Sequence, residues 1–180
     1  MSCTLTMSSS LSLVLLHIHR FGEPEQICLR RFDPRVTMDN EFRVFVYNNK
    51  MTAISQYDHY AFYPHLEEKR DVILQAIQDF WKVIHPHLGV DSYCIDVAYV
   101  PATSECIMIE LSPFLACTGP ALFSWSSADD LLVLEGKAPF EFRLKDERYA
   151  PNIVFCMETI INPFQICLAH CTLSWKIYLK

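Results

Sequence analysis

Glycine is scarce in this chain: only four occur, at Gly22, Gly89, Gly119 and Gly136. No two are close enough to build a glycine-rich phosphate loop, which excludes both a P-loop and a dinucleotide-binding fingerprint. Basic charge is short as well. Lys and Arg number 15 against 21 Asp and Glu, a formal charge of −6. That balance argues against broad binding to nucleic acid or to an anionic membrane, which needs a basic surface. It leaves room for a local basic pocket around one nucleotide. Long apolar runs are missing too. Leu11–Ile18 resembles a weak signal core, but no basic residue precedes it and His17, His19 and Arg20 close it early. It is too short to span a bilayer, so no membrane association is expected. There is no CxxC pair, internal repeat or low-complexity tract.

What is present is a globular composition. The 180 residues are 51% hydrophobic, enough for one domain with a real core. Cysteines stand at positions 3, 28, 94, 106, 117, 156, 167 and 171, most of them inside apolar runs. Buried free thiols in a reducing compartment are the natural reading, and a cytoplasmic location follows from it. Cys167, His170 and Cys171 form a possible but incomplete zinc set, as do His85 and His87; neither has the fourth ligand a structural site requires.

In chain order, Ile27-Cys28-Leu29 starts a strand that runs into Arg30, Arg31 and Phe32 before Asp33-Pro34 breaks it. Glu41–Tyr47 alternates, with Phe42, Val44 and Val46 on one face and Glu41, Arg43, Phe45 and Tyr47 on the other. Asn48-Asn49 is a two-residue turn signal, and Lys50–Ser55 is the return strand. An arginine in mid-strand, here Arg43, usually serves a surface ion pair but can also reach a phosphate. Pro64 opens a helix to about Ile84, with Ile73, Ile77, Phe80 and Ile84 as its stripe, widened by Val72, Ala76 and Trp81. After a second hairpin, Ser126–Asp130 is a polar turn into Leu131–Leu134, and Pro139–Leu144 a further short strand. The pattern predicts an α+β fold, an antiparallel sheet with a long amphipathic helix on one face.

The second hairpin, Tyr93–Phe114, reads YCIDVAYVPATSECIMIELSPF and carries acids where a buried strand should have none. Tyr93, Ile95, Val97 and Tyr99 share a face, so Asp96 points the other way; Ile107, Ile109 and Leu111 share a face, so Glu110 and Ser112 point away from it. A hairpin centred on Thr103 sets Asp96 opposite Glu110. Opposed like charges destabilise a ladder unless something compensates, and a hard divalent cation held by oxygen ligands is one such compensation. The plain alternative is an edge or solvent-facing acid in each case, and a one-residue slip of register separates the two.

Five blocks resemble the cell division cycle protein 123 family. They are Glu41-Phe42-Arg43 through Ser55-Gln56-Tyr57-Asp58, Ile77-Gln78-Asp79-Phe80, Ile95-Asp96-Val97, Ile109-Glu110-Leu111-Ser112-Pro113-Phe114, and Leu122-Phe123-Ser124-Trp125. The resemblance runs from about Ile27 to Trp125 and implies an ATP-grasp fold that clamps ATP and Mg²⁺ between two lobes. It implies an assembly chaperone for eukaryotic translation initiation factor two that binds the gamma subunit, with no direct nucleic-acid contact. By the same likeness Asp96, Glu110 and Ser112 are the Mg²⁺ ligands, Arg30, Arg31 and Phe32 lie at the hinge beside the adenine, and Arg43 is on the nucleotide side. Glu110 replaces a family aspartate, Ser112 an asparagine and Tyr57 an arginine. The resemblance starts just before the hinge, so the expected organisation is a tail or extra strand over 1–26, the C-terminal ATP-grasp-like lobe over 27–150 and a divergent hydrophobic tail over 151–180. A ligase-type enzyme and a lone lobe that has lost nucleotide binding are the competing readings, since a shared fold does not fix activity. No catalytic residue set stands out.

Overall fold

The computed structural model describes residues 28–31, 33–146 and 164–167. The segment 1–26 and most of 151–180, including His170 and Cys171, lie outside the described residues. Two compact units are present. One contains β1 (Cys28–Arg31) and β7 (Phe164–Cys167), an antiparallel pair in which Cys28 lies opposite Cys167 and Arg31 opposite Phe164.

The other unit is built on a five-stranded sheet in the order β5-β4-β2-β3-β6. Its strands are β2 (Glu41–Tyr47), β3 (Lys50–Gln56), β4 (Tyr93–Val100), β5 (Glu105–Pro113) and β6 (Glu141–Arg143). Asn48 and Asn49 both have positive φ, 48° and 61°, which is the mirror-image turn that fits two-residue hairpins. Four strands are antiparallel as the sequence predicts. The short β6 joins β3 in parallel, with Ser55 opposite Arg143.

The predicted helix is two pieces, α1 (Pro64–Glu68) and α2 (Arg70–Leu88), separated at Lys69. It also runs further than its periodicity indicated. Pro86 sits in the last turn, and Gly89, left-handed at φ 64°, closes the end. Ile73 and Ile77 are buried against the sheet with Phe42, Val44, Ile54, Tyr93, Ile95 and Val97, and Leu74, Phe80, Trp81 and Ile84 pack around them. Burying one such aliphatic side chain contributes about 1.5–3 kcal/mol. Val72 does not belong to the stripe; it is 53% exposed. His85, which could be read as a zinc ligand, stacks on Trp81 and hydrogen-bonds Tyr93, whose hydroxyl also accepts from Trp81 Nε1 at 2.9 Å.

The opposite face of the sheet has its own apolar cluster of Phe45, Ala53, Cys94, Phe123, Val133 and Leu134. Part of it comes from α3 (Ala128–Leu134), where the sequence suggested only a polar turn and an irregular piece. Ser127 caps this helix by accepting from the Asp130 backbone N–H at 3.3 Å. Thr52 Oγ1 donates to the Leu134 carbonyl at 2.7 Å and ties the helix end to β3. Among the described residues no helix is long and apolar enough to cross a membrane.

Candidate functional site

The register of the β4–β5 hairpin decides what its acids can do. Val100 pairs with Glu105, Ala98 with Ile107 and Val97 with Met108, but Asp96 pairs with Glu110. One extra residue, Ile109, is therefore inserted as a bulge. Were Ile109 held in the ladder as an ordinary residue, Glu110 would pair with Ile95 and face the helix side. With the bulge Glu110 comes level with Asp96, and Ser112 lies opposite Cys94. The bulge also corrects the expected face: Cys106, Met108 and Leu111 pack with the helix-side core, not Ile107, Ile109 and Leu111 as strict alternation gives.

Asp96 is in turn opposite Arg43, Arg43 opposite Ser55, and Ser55 opposite Arg143. A polar row, Glu110, Asp96, Arg43, Ser55 and Arg143, thus crosses all five strands on one face. Half of it is covered. The segment after β5 lies on the row and bonds it three times. The Gly119 carbonyl accepts from Arg43 Nη1, the Leu122 N–H donates to Ser55 Oγ at 3.0 Å, and the Leu122 carbonyl accepts from Arg143 Nη1 at 3.2 Å. Arg143 also pairs with Asp130 at 2.8 Å and lies over the Phe123 ring at 3.8 Å. At the other end Glu110, Ser112, Tyr57 and Glu41 remain partly exposed.

Arg43 grips Asp96 with two donors, Nε to Oδ1 at 2.8 Å and Nη2 to Oδ2 at 2.7 Å, with side chains 7% and 2% exposed. The mid-strand arginine is thus in a buried ion pair, not a surface one. Its guanidinium carbon lies 4.9 Å from the centre of the Tyr57 ring. The compensation that Asp96 and Glu110 require is supplied by this guanidinium inside the protein. It does not cover the whole charge, because Glu41 joins the two acids. Burial pushes the Glu41 carboxyl up to about 7, with Asp96 and Glu110 adding to the rise and Arg43 opposing it. Burial also raises Glu110 and Asp96, with Asp96 adding to Glu110 and Arg43 pulling Asp96 the other way. Tyr57 is raised by burial and by the same acids. Glu110 Oε1 accepts from Ser112 Oγ at 3.5 Å, a weak contact.

The structure therefore brings Arg43, Asp96, Glu110 and Ser112 together. Arg30 and Arg31 lie on β1 of the separate two-stranded sheet, and Phe32 lies outside the described residues. Glu41 belongs to the cluster and was not singled out from the sequence, although its alternation with Arg43 placed it on that face. The Gly119 carbonyl had no sequence signal at all.

The donor chemistry fits Mg²⁺. Glu41, Asp96, Glu110 and Ser112 offer only hard oxygen atoms, and three carboxyls face one guanidinium. Among the described residues no group of three or more His, Cys, Asp or Glu is arranged as a ready metal cage. Mg²⁺ is commonly held by one or two carboxylates with the rest of its shell from water and phosphate, so a partial set is what it needs.

A family model described as D123 matches residues 20–160. The chain belongs to the D123 family. Among its D123 relatives, a protein of Kluyveromyces lactis named translation initiation factor eIF2 assembly protein is 36% identical over 88 residues, covering 48% of this chain and 24% of the relative. One of Xenopus laevis with the same name is 31% identical, covering 47% and 25%. The cell division cycle protein 123 of Candida glabrata is 33% identical, covering 59% and 30%. The chain thus spans about a quarter to under a third of these relatives. The solved structure of C-terminally truncated Cdc123 from Schizosaccharomyces pombe aligns with a TM-score of 0.54 at 24% identity, over 64% of this chain and 43% of that one. That likeness agrees with the α+β fold of the five-stranded unit.

Proposed function

We propose that this chain is the ATP- and Mg²⁺-binding C-terminal lobe of an ATP-grasp assembly factor for eukaryotic translation initiation factor two, acting through the gamma subunit. The D123 relatives are named for assembly of that factor, and the reading extends their role to this chain. The observation that carries it is the placement of Asp96 opposite Glu110, with Ser112 on the same partly open face. Asp96 and Glu110 would hold Mg²⁺, Ser112 would add a neutral oxygen, and Arg43 would face the phosphates. The bound ion would supply charge neutralisation between carboxylates and phosphate. The protein's own part is to keep both acids on one face through the Ile109 bulge and to hold a guanidinium beside them.

Calorimetric titration of ATP with and without Mg²⁺ tests this. Saturable, magnesium-dependent heat is expected. Asp96→Ala should lose more affinity than Ser112→Ala, because a charged oxygen contributes more to holding a hard cation than a neutral hydroxyl. Equal or reversed losses would remove the ligand assignment. Capture of the isolated gamma subunit by the full chain tests the partner, and sustained ADP release with added acids and amines would favour a ligase instead. One observation favours the reading of a lobe that no longer binds nucleotide: both Asp96 oxygens are already bonded to Arg43. No heat at millimolar ATP would leave that reading standing.

A further inference from the structure

Asp96 cannot serve two cations in the geometry observed. Its carboxylate accepts from Nε and Nη2 of Arg43 at 2.8 and 2.7 Å. A dication bound to the same oxygens would sit within a few ångströms of a fixed positive charge, in a site that excludes most water. The guanidinium has another hold. Nη1 donates to the Gly119 carbonyl, and the preceding residue, Thr118, is held at two points. Thr118 Oγ1 donates to the Pro113 carbonyl at 2.7 Å, and Trp125 Nε1 donates to the Thr118 carbonyl at 2.6 Å. The Tyr57 ring supports the guanidinium at 4.9 Å through a contact that tolerates sliding. The side chain is thus anchored at one nitrogen and bonded to Asp96 through the other two. That two-pronged edge suits a phosphate as well as it suits a carboxylate.

Resting on the nucleotide reading above, we infer that Arg43 is an exchangeable partner: when a divalent cation and its phosphate arrive, Nε and Nη2 leave Asp96 for the phosphate while Nη1 stays on the Gly119 carbonyl. In the absence of ligand the arginine holds the acids in the cation's place. The exchange runs toward the open end of the row, where Glu110, Tyr57 and Glu41 are partly exposed.

The test separates the metal from the nucleotide. Free Mn²⁺ is followed by electron paramagnetic resonance in the full chain and in Arg43→Gln, and Mg²⁺-ATP affinity is measured for both. Removing a competing charge should tighten Mn²⁺ alone by about tenfold. Losing the phosphate donors should weaken Mg²⁺-ATP by at least about tenfold. A structural role alone would weaken both, and that result overturns the exchange. If Arg43→Gln does not fold, a crystal structure of the unaltered chain with Mg²⁺ and a nonhydrolysable ATP analogue decides. Separation of Nη2 from Oδ2 beyond about 4 Å, with Nη1 still on Gly119, supports the exchange; an intact two-pronged pair overturns it. Failure of the unaltered chain to bind Mg²⁺-ATP would sink the nucleotide reading and the transfer to phosphate with it. Tighter Mn²⁺ in Arg43→Gln would still support Arg43 holding the acids in the cation's place, and unchanged or weaker Mn²⁺ would overturn that as well.

Discussion

Glu41 is the residue whose ionisation is most displaced toward neutral pH, to about 7, chiefly by burial and then by Asp96. Its folded value lies above its unfolded one, so the native state binds a proton that the unfolded chain releases. Stability from this group is complete below about pH 4.5 and is lost as pH rises toward 7, then levels off. Glu41→Gln should flatten that decline and raise the urea midpoint at pH 8 while leaving it unchanged near pH 4. The gain at pH 8 should be roughly 2 kcal/mol. An equal shift at both pH values would show that the carboxyl is not titrating as described. The Arg43–Asp96 pair gives a second residue-scale prediction. Arg43→Ala leaves Asp96 buried without its partner and should cost about 3–5 kcal/mol in urea unfolding. The facing of Asp96, Glu110 and Ser112 was legible because alternation is local. The cation that compensates them was not, because Arg43 is 53 residues away in sequence from Asp96.

At the scale of elements the bulge at Ile109 matters most. Centring the hairpin on Thr103 gave the correct Asp96–Glu110 pair, yet the turn itself closes between Val100 and Glu105, half a residue away. The two facts agree only because Ile109 is extra. Ile109→Ala should cost about 2–4 kcal/mol as an ordinary loss of buried volume. Deleting Ile109 brings Glu110 next to Met108 and keeps it opposite Asp96 in a regular ladder, so magnesium dependence should survive the deletion. Urea midpoints check the alanine variant and calorimetric titration checks the deletion; loss of magnesium dependence would mean the shortened strand pairs in another register. Helix α3 was missed although Ser127 and Asp130 stand three apart, a start signal hidden in a short element. Val72 was misplaced because the apolar stripe was drawn too wide, and the β6 pairing is a parallel, non-local contact that no local period reports.

At the largest scale, within the five-stranded unit, the sheet separates a packed helix side from a face that is half covered and half open. Cysteine accessibility should map this division. Cys117 is exposed, whereas Cys94 is buried beneath the segment after β5, with its thiol pushed up to about 12 by burial. Brief alkylation at pH 8 followed by peptide mass analysis should modify Cys117 within minutes and Cys94 only at the rate of opening. Equal labelling would mean the covered half is not closed in solution. The sequence made the α+β class and the open acidic face readable, but not the cover, whose hydrogen bonds run largely through backbone carbonyls and amides. On the far side of the sheet, Trp81 stacks on His85 with ring centres 4.7 Å apart and donates to the Tyr93 hydroxyl. Undocking α2 from β4 would separate that indole from both neighbours at once. The chain consequently carries a fluorophore for helix–sheet docking, remote from the carboxylates. A ligand-induced change in the part of the emission that Trp81→Phe removes, apart from that of Trp125 and Trp175, would signal rearrangement of the whole unit, and constancy of that part would confine the response to the acidic side.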